Sequence, residues 1–301
     1  MKYRIRHSTR YIFAEAVSIS HNLTWLQPRA TPEQTPLYFD WQIDPTPTIL
    51  QERRDIFDNR VHYFEILEPH RTLSVTSVNH VERHPKPLPK KADRPWEEVR
   101  SLLLQSRTPE LLLAQQFLLA SPLVRHNATL ADYAALSFPP GRSFLAAIQD
   151  LMQRIHTDFT YLPQVTTIST PLEEIMEKRQ GVCQDFAHIG IAALRSLGLA
   201  ARYVSGYLET IPPPGQPRLT GVDASHAWFS TLLPDGGWID LDPTNNLLPS
   251  SQHITIAWGR DYSDIPPLKG VVIGGGSHSS LQVEVDVARM HEEKTEANHS
   301  C

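Results

Sequence analysis

Gly181-Val182-Cys183-Gln184-Asp185-Phe186-Ala187-His188-Ile189-Gly190-Ile191-Ala192-Ala193-Leu194-Arg195-Ser196-Leu197-Gly198-Leu199 is an apolar run at helical spacing whose first turn carries a thiol. The chain has two cysteines, and the other, Cys301, is its last residue. A helix start presents unpaired backbone N–H groups and the positive end of the helix dipole. Both favour a thiolate, the nucleophilic form of cysteine. Gly181 permits a sharp turn of the backbone into the helix. Free cysteine is also among the most buried residue types, so Cys183 by itself can be read as a packed structural thiol. A base and a partner for that base must separate the two readings.

A thiol nucleophile needs a group that takes and returns its proton, and that group needs an orienting acceptor. The chain offers 14 histidines. His188 is nearest in sequence, but it lies about 140° around the helix from Cys183 and reads as core. After Gly198 the apolar period changes from helical spacing to two. Residues 200–208, 224–233 and 237–241 read as strands, the last two joined by the strong turn signal Pro234-Asp235-Gly236-Gly237. Strands joined by a tight turn are neighbours. His226 near the start of one therefore comes opposite Asp242 at the end of the other. Asp240 shares that strand face, so spacing does not choose between the two acids. Asp185 reads as a helix-start carboxylate that accepts backbone N–H groups near Cys183. Trp228 and Tyr207 read either as core or as groove lining.

Working outward, residues 3–84 read as β structure. Tyr3, Ile5 and His7 alternate with Arg4, Arg6 and Ser8, and further strands are expected at 18–25, 37–43, 61–66 and 73–81. Prolines and the turn Asp58-Asn59 separate them, which suggests a small β-sandwich over residues 1–84. Residues 85–95, rich in Pro and Lys, read as a linker that lets the two parts move. The second domain is expected over 96–290, followed by a polar tail, 291–301. Helices are expected at 143–159, at 127–136, from Pro109, and over 171–178, where Thr170 and Glu173 resemble a capping box. Gly274-Gly275-Gly276 precedes no helical pattern, so a phosphate-binding loop is a poor reading.

Composition narrows the function classes. Hydrophobic residues make up 41% and charged residues 20%, the balance of a globular chain. A net charge of -5 argues against a general nucleic-acid binder. Two cysteines make no disulfide framework, no C-x-x-C pair points to zinc, and no D-x-D-x-D-G pattern points to calcium. Neither a metal nor another cofactor is expected. No apolar stretch of about 18 residues suggests a membrane span, and no leader pattern opens the chain. A cytoplasmic location with reduced thiols is the expectation.

A helix-start Cys, then a His on one strand, then an Asp on the next resembles the core of the transglutaminase-like family. The matching blocks are Gly181–His188, Ala201–Tyr207, Ser225-His226-Ala227-Trp228 and Asp242-Pro243-Thr244-Asn245. The amino-terminal part resembles the β domain that precedes this core in bacterial proteins, through His7-Ser8-Thr9-Arg10-Tyr11, Leu26-Gln27-Pro28-Arg29 and Asp58-Asn59-Arg60-Val61. The resemblance implies an α+β fold, with a papain-like, transglutaminase-like core whose Cys helix packs on an antiparallel sheet. It implies Cys183 as nucleophile, His226 as base and Asp242, chosen over Asp240 by the Asp-Pro-Thr block, as orienting acid. It also implies the Cys183 N–H as one oxyanion donor, and Tyr161 matches the family's aromatic near that position. The expected activity is cysteine-dependent hydrolysis of a peptide or amide bond in a peptide or protein substrate. A protein-glutamine transglutaminase and an inactive binding module are the alternatives.

Overall fold

The computed structural model describes residues 1–85, 94–209 and 225–290. The linker expected at 85–95 lies mostly outside them, and the proline-rich loop of 211–221 and the tail with Cys301 lie wholly outside.

The amino-terminal part is built around one strand, β1 (Lys2–Thr24), whose alternate side chains are buried along its first half. The pattern 3–13 and the pattern 18–25 are thus two halves of one bent strand. The first half pairs with β5 (His70–Arg83) on one edge and β13 (Ser279–Arg289) on the other. The second half pairs with β4 (Arg60–Ile66) and β12 (Leu268–Gly274). β2 (Gln34–Asp44) lies outside β5, and β3 (Ile49–Arg54) lies outside β4. The register breaks between Ile12 and Val17, where β1 bends. The bend brings the halves face to face, with Trp41 of β2 packed edge-on against Phe64 of β4. Phe13, Val17, Leu26, Phe64, Ile66, Leu73 and Val75 form the core between them. The layers are sandwich-like, but one continuous sheet makes both.

The glycine run 274–276 follows that bend. All three residues have positive φ, 93°, 87° and 74°. Gly275 N–H donates to the Ala16 carbonyl at 3.1 Å and Glu15 N–H to the Gly275 carbonyl at 3.2 Å. The run carries the chain from β12 to β13 alongside the bend in β1. Residues 268–289, expected with the 96–290 unit, therefore pair with β1.

Between the sheet's sequence halves lie the helices α1 (Trp96–Gln105), α2 (Pro109–Gln115), α3 (Ala128–Ala135) and α4 (Phe144–Asp158). Asn127 and Ser143 cap α3 and α4, their side chains accepting from Leu130 N–H and Ala146 N–H. The short strands β6 (Thr160–Tyr161) and β7 (Gln180–Gly181) flank α5 (Leu172–Lys178). The capping box expected at Thr170 does not form, because Pro171 is the N-cap and the Thr170 hydroxyl instead accepts from Thr167 N–H. The helix α6 (Cys183–Ser196) follows, then β8 (Ala201–Leu208), β9 (Ser225–Leu232), β10 (Trp238–Leu241) and β11 (His253–Gly259). These four strands form an antiparallel sheet in the order β10-β9-β8-β11. α6 packs on β8 and β9 and against α3, α4 and α5, so it is buried on all sides from Asp185 to Arg195. A helix so enclosed is expected to be largely apolar, as Ile189–Leu194 are, and its buried polar groups, Asp185, His188 and Arg195, must each find partners. Its one buried cation, Arg195, donates to the carbonyls of Leu119, Ala201 and Arg260.

The two sheets share a core. Tyr3, Ile5, Val81, Val285 and Val287 belong to the same buried cluster as Phe144, Ile148, Leu151, Phe186 and Phe229. No described helix is long and apolar enough to cross a membrane.

Candidate active site

Cys183 opens α6, and Val182 before it is extended, with φ -115° and ψ 178°. The Asp185 carboxylate reaches back to accept the Val182 N–H at 2.9 Å and the Thr166 hydroxyl at 2.7 Å. Val182 has no acceptor to return the bond, so this is half of a capping box. Burial pushes the Asp185 carboxyl up, and the Thr166 and Val182 bonds partly oppose it. A Cβ on Gly181 would stand 2.8 Å from the Asp185 carboxylate. Close approach of that carboxylate, rather than an unusual φ, is what requires glycine here.

His226 lies in the second position of β9, and the hairpin to β10 closes through Leu233 N–H to Gly237 O at 2.7 Å. The register of that pair runs from Trp238 opposite Leu232 to Leu241 opposite Phe229. Continuing it sets Asp242 opposite Trp228, two residues from His226 and on the same face of β9, and from that diagonal position His226 Nε2 donates to Asp242 Oδ2 at 2.7 Å. Cys183 also lies near enough to the His226 side chain to influence its ionisation. Burial works against a charged His226, but the bond to Asp242 and the neighbouring Cys183 outweigh it and push its pKa up to about 10. The imidazolium is therefore the held form. The order thiol, imidazole, carboxylate is the one a nucleophile, base and orienting acid require.

Asp242 is fully buried and collects five donors. Oδ2 accepts from His226, from Asn245 Nδ2 at 2.7 Å and from His253 Nε2 at 3.0 Å. Oδ1 accepts the N–H groups of Thr244 and Asn245 at 3.0 and 3.2 Å. Burial raises its pKa, but the bonds from His226 and His253 outweigh that and hold the carboxyl well below the usual range. Burial instead lowers the pKa of His253, so this second imidazole is a neutral donor. His156 of α4 braces the turn from behind, its Nδ1 lying 3.2 and 3.1 Å from the carbonyls of Pro243 and Thr244. Asp240, the competing acid, accepts the Ser230 hydroxyl instead.

Sequence reasoning missed His253 and Asn245. Asn245 stood inside the quoted Asp-Pro-Thr-Asn block, so its position was visible although its role was not. Nothing in the order of the chain separates His253 from the other histidines. Ligand atoms of His226, Asp242 and His253 all lie within 4.8 Å of one another, the composition of a metal site. Here both imidazoles donate to one carboxylate oxygen, and that bonding accounts for the cluster.

Tyr161 is held near Cys183 by the parallel pair β6–β7, which sets it opposite Gly181. Its ring stands edge-on to Phe186 at 6.4 Å and is about half exposed, at 48%. Burial and then the neighbouring Cys183 raise the phenol pKa, so it remains a proton donor. His188 is buried, and its Nε2 accepts the Tyr262 N–H at 3.2 Å. Burial pulls its pKa down to about 4. Trp228 and Tyr207 are buried, at 0% and 2% exposure, and belong to the core.

Comparison with known proteins agrees with this architecture. Residues 3–82 match the model of the bacterial transglutaminase-like N-terminal region, and residues 139–243 match that of the transglutaminase-like superfamily. An uncharacterised Mycobacterium tuberculosis protein is 41% identical over 294 residues, covering 95% of this chain and 92% of the relative. A protein-glutamine gamma-glutamyltransferase of Pseudomonas aeruginosa is 32% identical over 108 residues, covering 35% of this chain and 16% of that protein. The crystal structure of a candidate cysteine protease from Cytophaga hutchinsonii shares the fold, with a TM-score of 0.76, 22% identity, and coverage of 98% of this chain and 92% of the other. The chain belongs to the transglutaminase-like superfamily and carries the bacterial transglutaminase-like N-terminal region.

Proposed function

We propose that the chain hydrolyses a peptide or amide bond through Cys183, His226 and Asp242. Membership of the superfamily supports a general cysteine-dependent activity. The observation that carries the finer reading is the His226 imidazole bonded at 2.7 Å to the buried Asp242 carboxylate and near enough to Cys183 to be influenced by it. The Cys183 sulfur attacks the substrate carbonyl carbon, and the oxyanion is held by the Cys183 N–H at the helix start and by the Tyr161 phenol. The C–N bond breaks as His226 gives its proton to the departing amine, leaving a thioester on Cys183. Water then adds to the thioester while His226 takes its proton, and the acid product leaves with Cys183 restored. Asp242 fixes the imidazole tautomer and offsets its charge throughout. A second reading, transfer of the acyl group to an amine, is supported by the local likeness to the Pseudomonas aeruginosa glutamyltransferase.

One experiment separates them. A peptide library is incubated with the full chain, with and without a primary amine, and products are read by mass. Hydrolysis products that vanish in Cys183→Ala are expected. Amine incorporation exceeding hydrolysis overturns the hydrolase reading in favour of transfer. No product at all, with the same peptides retained by wild type and Cys183→Ala, makes the chain a binding module.

A further inference from the structure

A groove of about 490 Å³ includes in its lining Ser225, the residue before His226 on β9. The rest of its lining comes from β1, β12 and β13 and from the segments before α3, before α5 and after β11. Tyr11 of β1 and Leu281 and Val283 of β13 form the amino-terminal side. Tyr262, in the segment after β11, and Ile168, in the loop that supplies Thr166 to Asp185, form the other. Leu281, Val283 and Ile168 are 54%, 48% and 56% exposed, so large apolar side chains stand in solvent on both sides. Lys269 is the one charged side chain among the described lining residues.

The groove is joined to the thiol by contacts as well as by sequence. Tyr262 N–H donates to His188 of α6, and its ring stands edge-on to Tyr203 at 6.2 Å. Tyr203 in turn lies within electrostatic reach of Cys183. An extended chain advances about 3.3 Å per residue, so a four-residue segment covers roughly 13 Å away from the reacting bond. A largely apolar channel that takes in the strand neighbour of His226 and is open to solvent fits such a segment better than a small polar ligand.

We infer that this groove receives an extended segment of the substrate carrying large apolar side chains, so that the amino-terminal sheet sets which bond reaches Cys183. The inference rests on Cys183 being the nucleophile proposed above. Two series of electrophilic peptides test it, because they extend from the thiol in opposite chain directions. One is N-iodoacetyl-Leu-Phe-Leu-Val and its Gly/Ser counterpart. The other is the matching pair of peptidyl chloromethyl ketones. In each case the Cys183 sulfur forms a C–S bond as the carbon–halogen bond breaks and halide leaves, and the shared proton stays on His226. Each rate on the full chain is divided by the same protein's rate with iodoacetamide, which controls for the state of the thiol.

In at least one series the apolar peptide is expected to react at least tenfold faster than the polar one. That ratio falls to about one in Leu281→Asp/Val283→Asp, and also in Ile168→Asp from the opposite side. A wild-type ratio near one in both series overturns the inference, as does a ratio retained in both variants. Failure of the underlying reading shows differently: iodoacetamide then modifies Cys183 no faster than Cys301, whatever the peptides do.

Discussion

At the scale of single residues, the site is a matter of who holds Asp242. The charged pair His226–Asp242 is favoured on both sides of its proton. The raised His226 pKa means that its contribution to stability is complete below the ordinary value of 6.5 and is lost as pH rises through about 10. The depressed Asp242 pKa means that its contribution is present above the ordinary 3.8 and is lost as pH falls further, through its lower folded value. Asp242→Asn removes the acceptor that raises His226. The alkaline limb of kcat/KM, near pH 10 in the wild type, is therefore expected to move towards neutral pH, with a rate loss on the order of 10³–10⁴-fold. An unmoved limb would mean that some other group controls it. Asp242→Ala leaves buried donors unpaired, and a destabilisation of about 3–5 kcal/mol by urea denaturation is expected. The Cys183–His226–Asp242 order was legible because a turn signal and strand period bring His226 to the strand end with Asp240 and Asp242, and the family resemblance of the Asp-Pro-Thr block chose Asp242. His253 was not. β11 lies at the far edge of the sheet from β10, and only the loop from Asp242 to Gln252, which crosses the strand ends, returns His253 to the acid.

At the scale of elements, the enclosed α6 and the tight sheet behind it keep these groups in place. Gly206 sits opposite His226 in the β8–β9 register. A Cβ there would collide with the Ile254 carbonyl oxygen of β11 and with the Trp228 ring. The carbonyl is backbone in a paired strand and has little room to give. Gly206→Ala is expected to cost about 1–3 kcal/mol and to lower the Cys183 alkylation rate, because β9 must shift to relieve the clash. Loss of stability with an unchanged alkylation rate would show that His226 is positioned independently of this contact. The helices were legible from their apolar stripes and caps: Ser143 and Asn127 stand where the pattern put the starts of α4 and α3. The strand reading found the alternation in β1 but cut it between Phe13 and Ser18. Period alone cannot distinguish a bend within one strand from a turn between two. β3 and β12 were missed because both are largely exposed edge strands, with no buried face to set an alternation.

At the scale of the whole molecule, the amino-terminal sheet completes the other sheet's open edge. The Gln34 side-chain amide accepts from Thr255 N–H and donates to Thr255 O, at 2.9 and 2.7 Å. The Asn59 amide does the same for Trp258, at 3.0 and 2.8 Å. Two side chains thus stand in for a strand along β11, whose backbone groups would otherwise be unpaired. Trp258 also carries two guanidinium groups, Arg29 at 3.6 Å and Arg202 at 3.7 Å, and Arg202 lies 4.1 Å from Trp238. Burial pulls Arg29 and Arg202 down to about 10 and about 9, so both remain cations at neutral pH. None of these partners is near another in sequence, which is why a Pro/Lys-rich stretch suggested mobile parts and no pattern revealed the joint. The shared core and this joint lead to one expectation. The chain should melt in a single calorimetric transition whose van't Hoff and calorimetric enthalpies agree. Asn59→Leu, which keeps the volume but removes both amide bonds to Trp258 and the Arg29 contact, should lower that one melting temperature rather than split the transition. Two separable transitions in the wild type would show that the sheets fold independently, and a fragment starting at residue 94 would then fold alone. The single-transition outcome requires that fragment to lose its structure, because β12 and β13 have β1 as their partner.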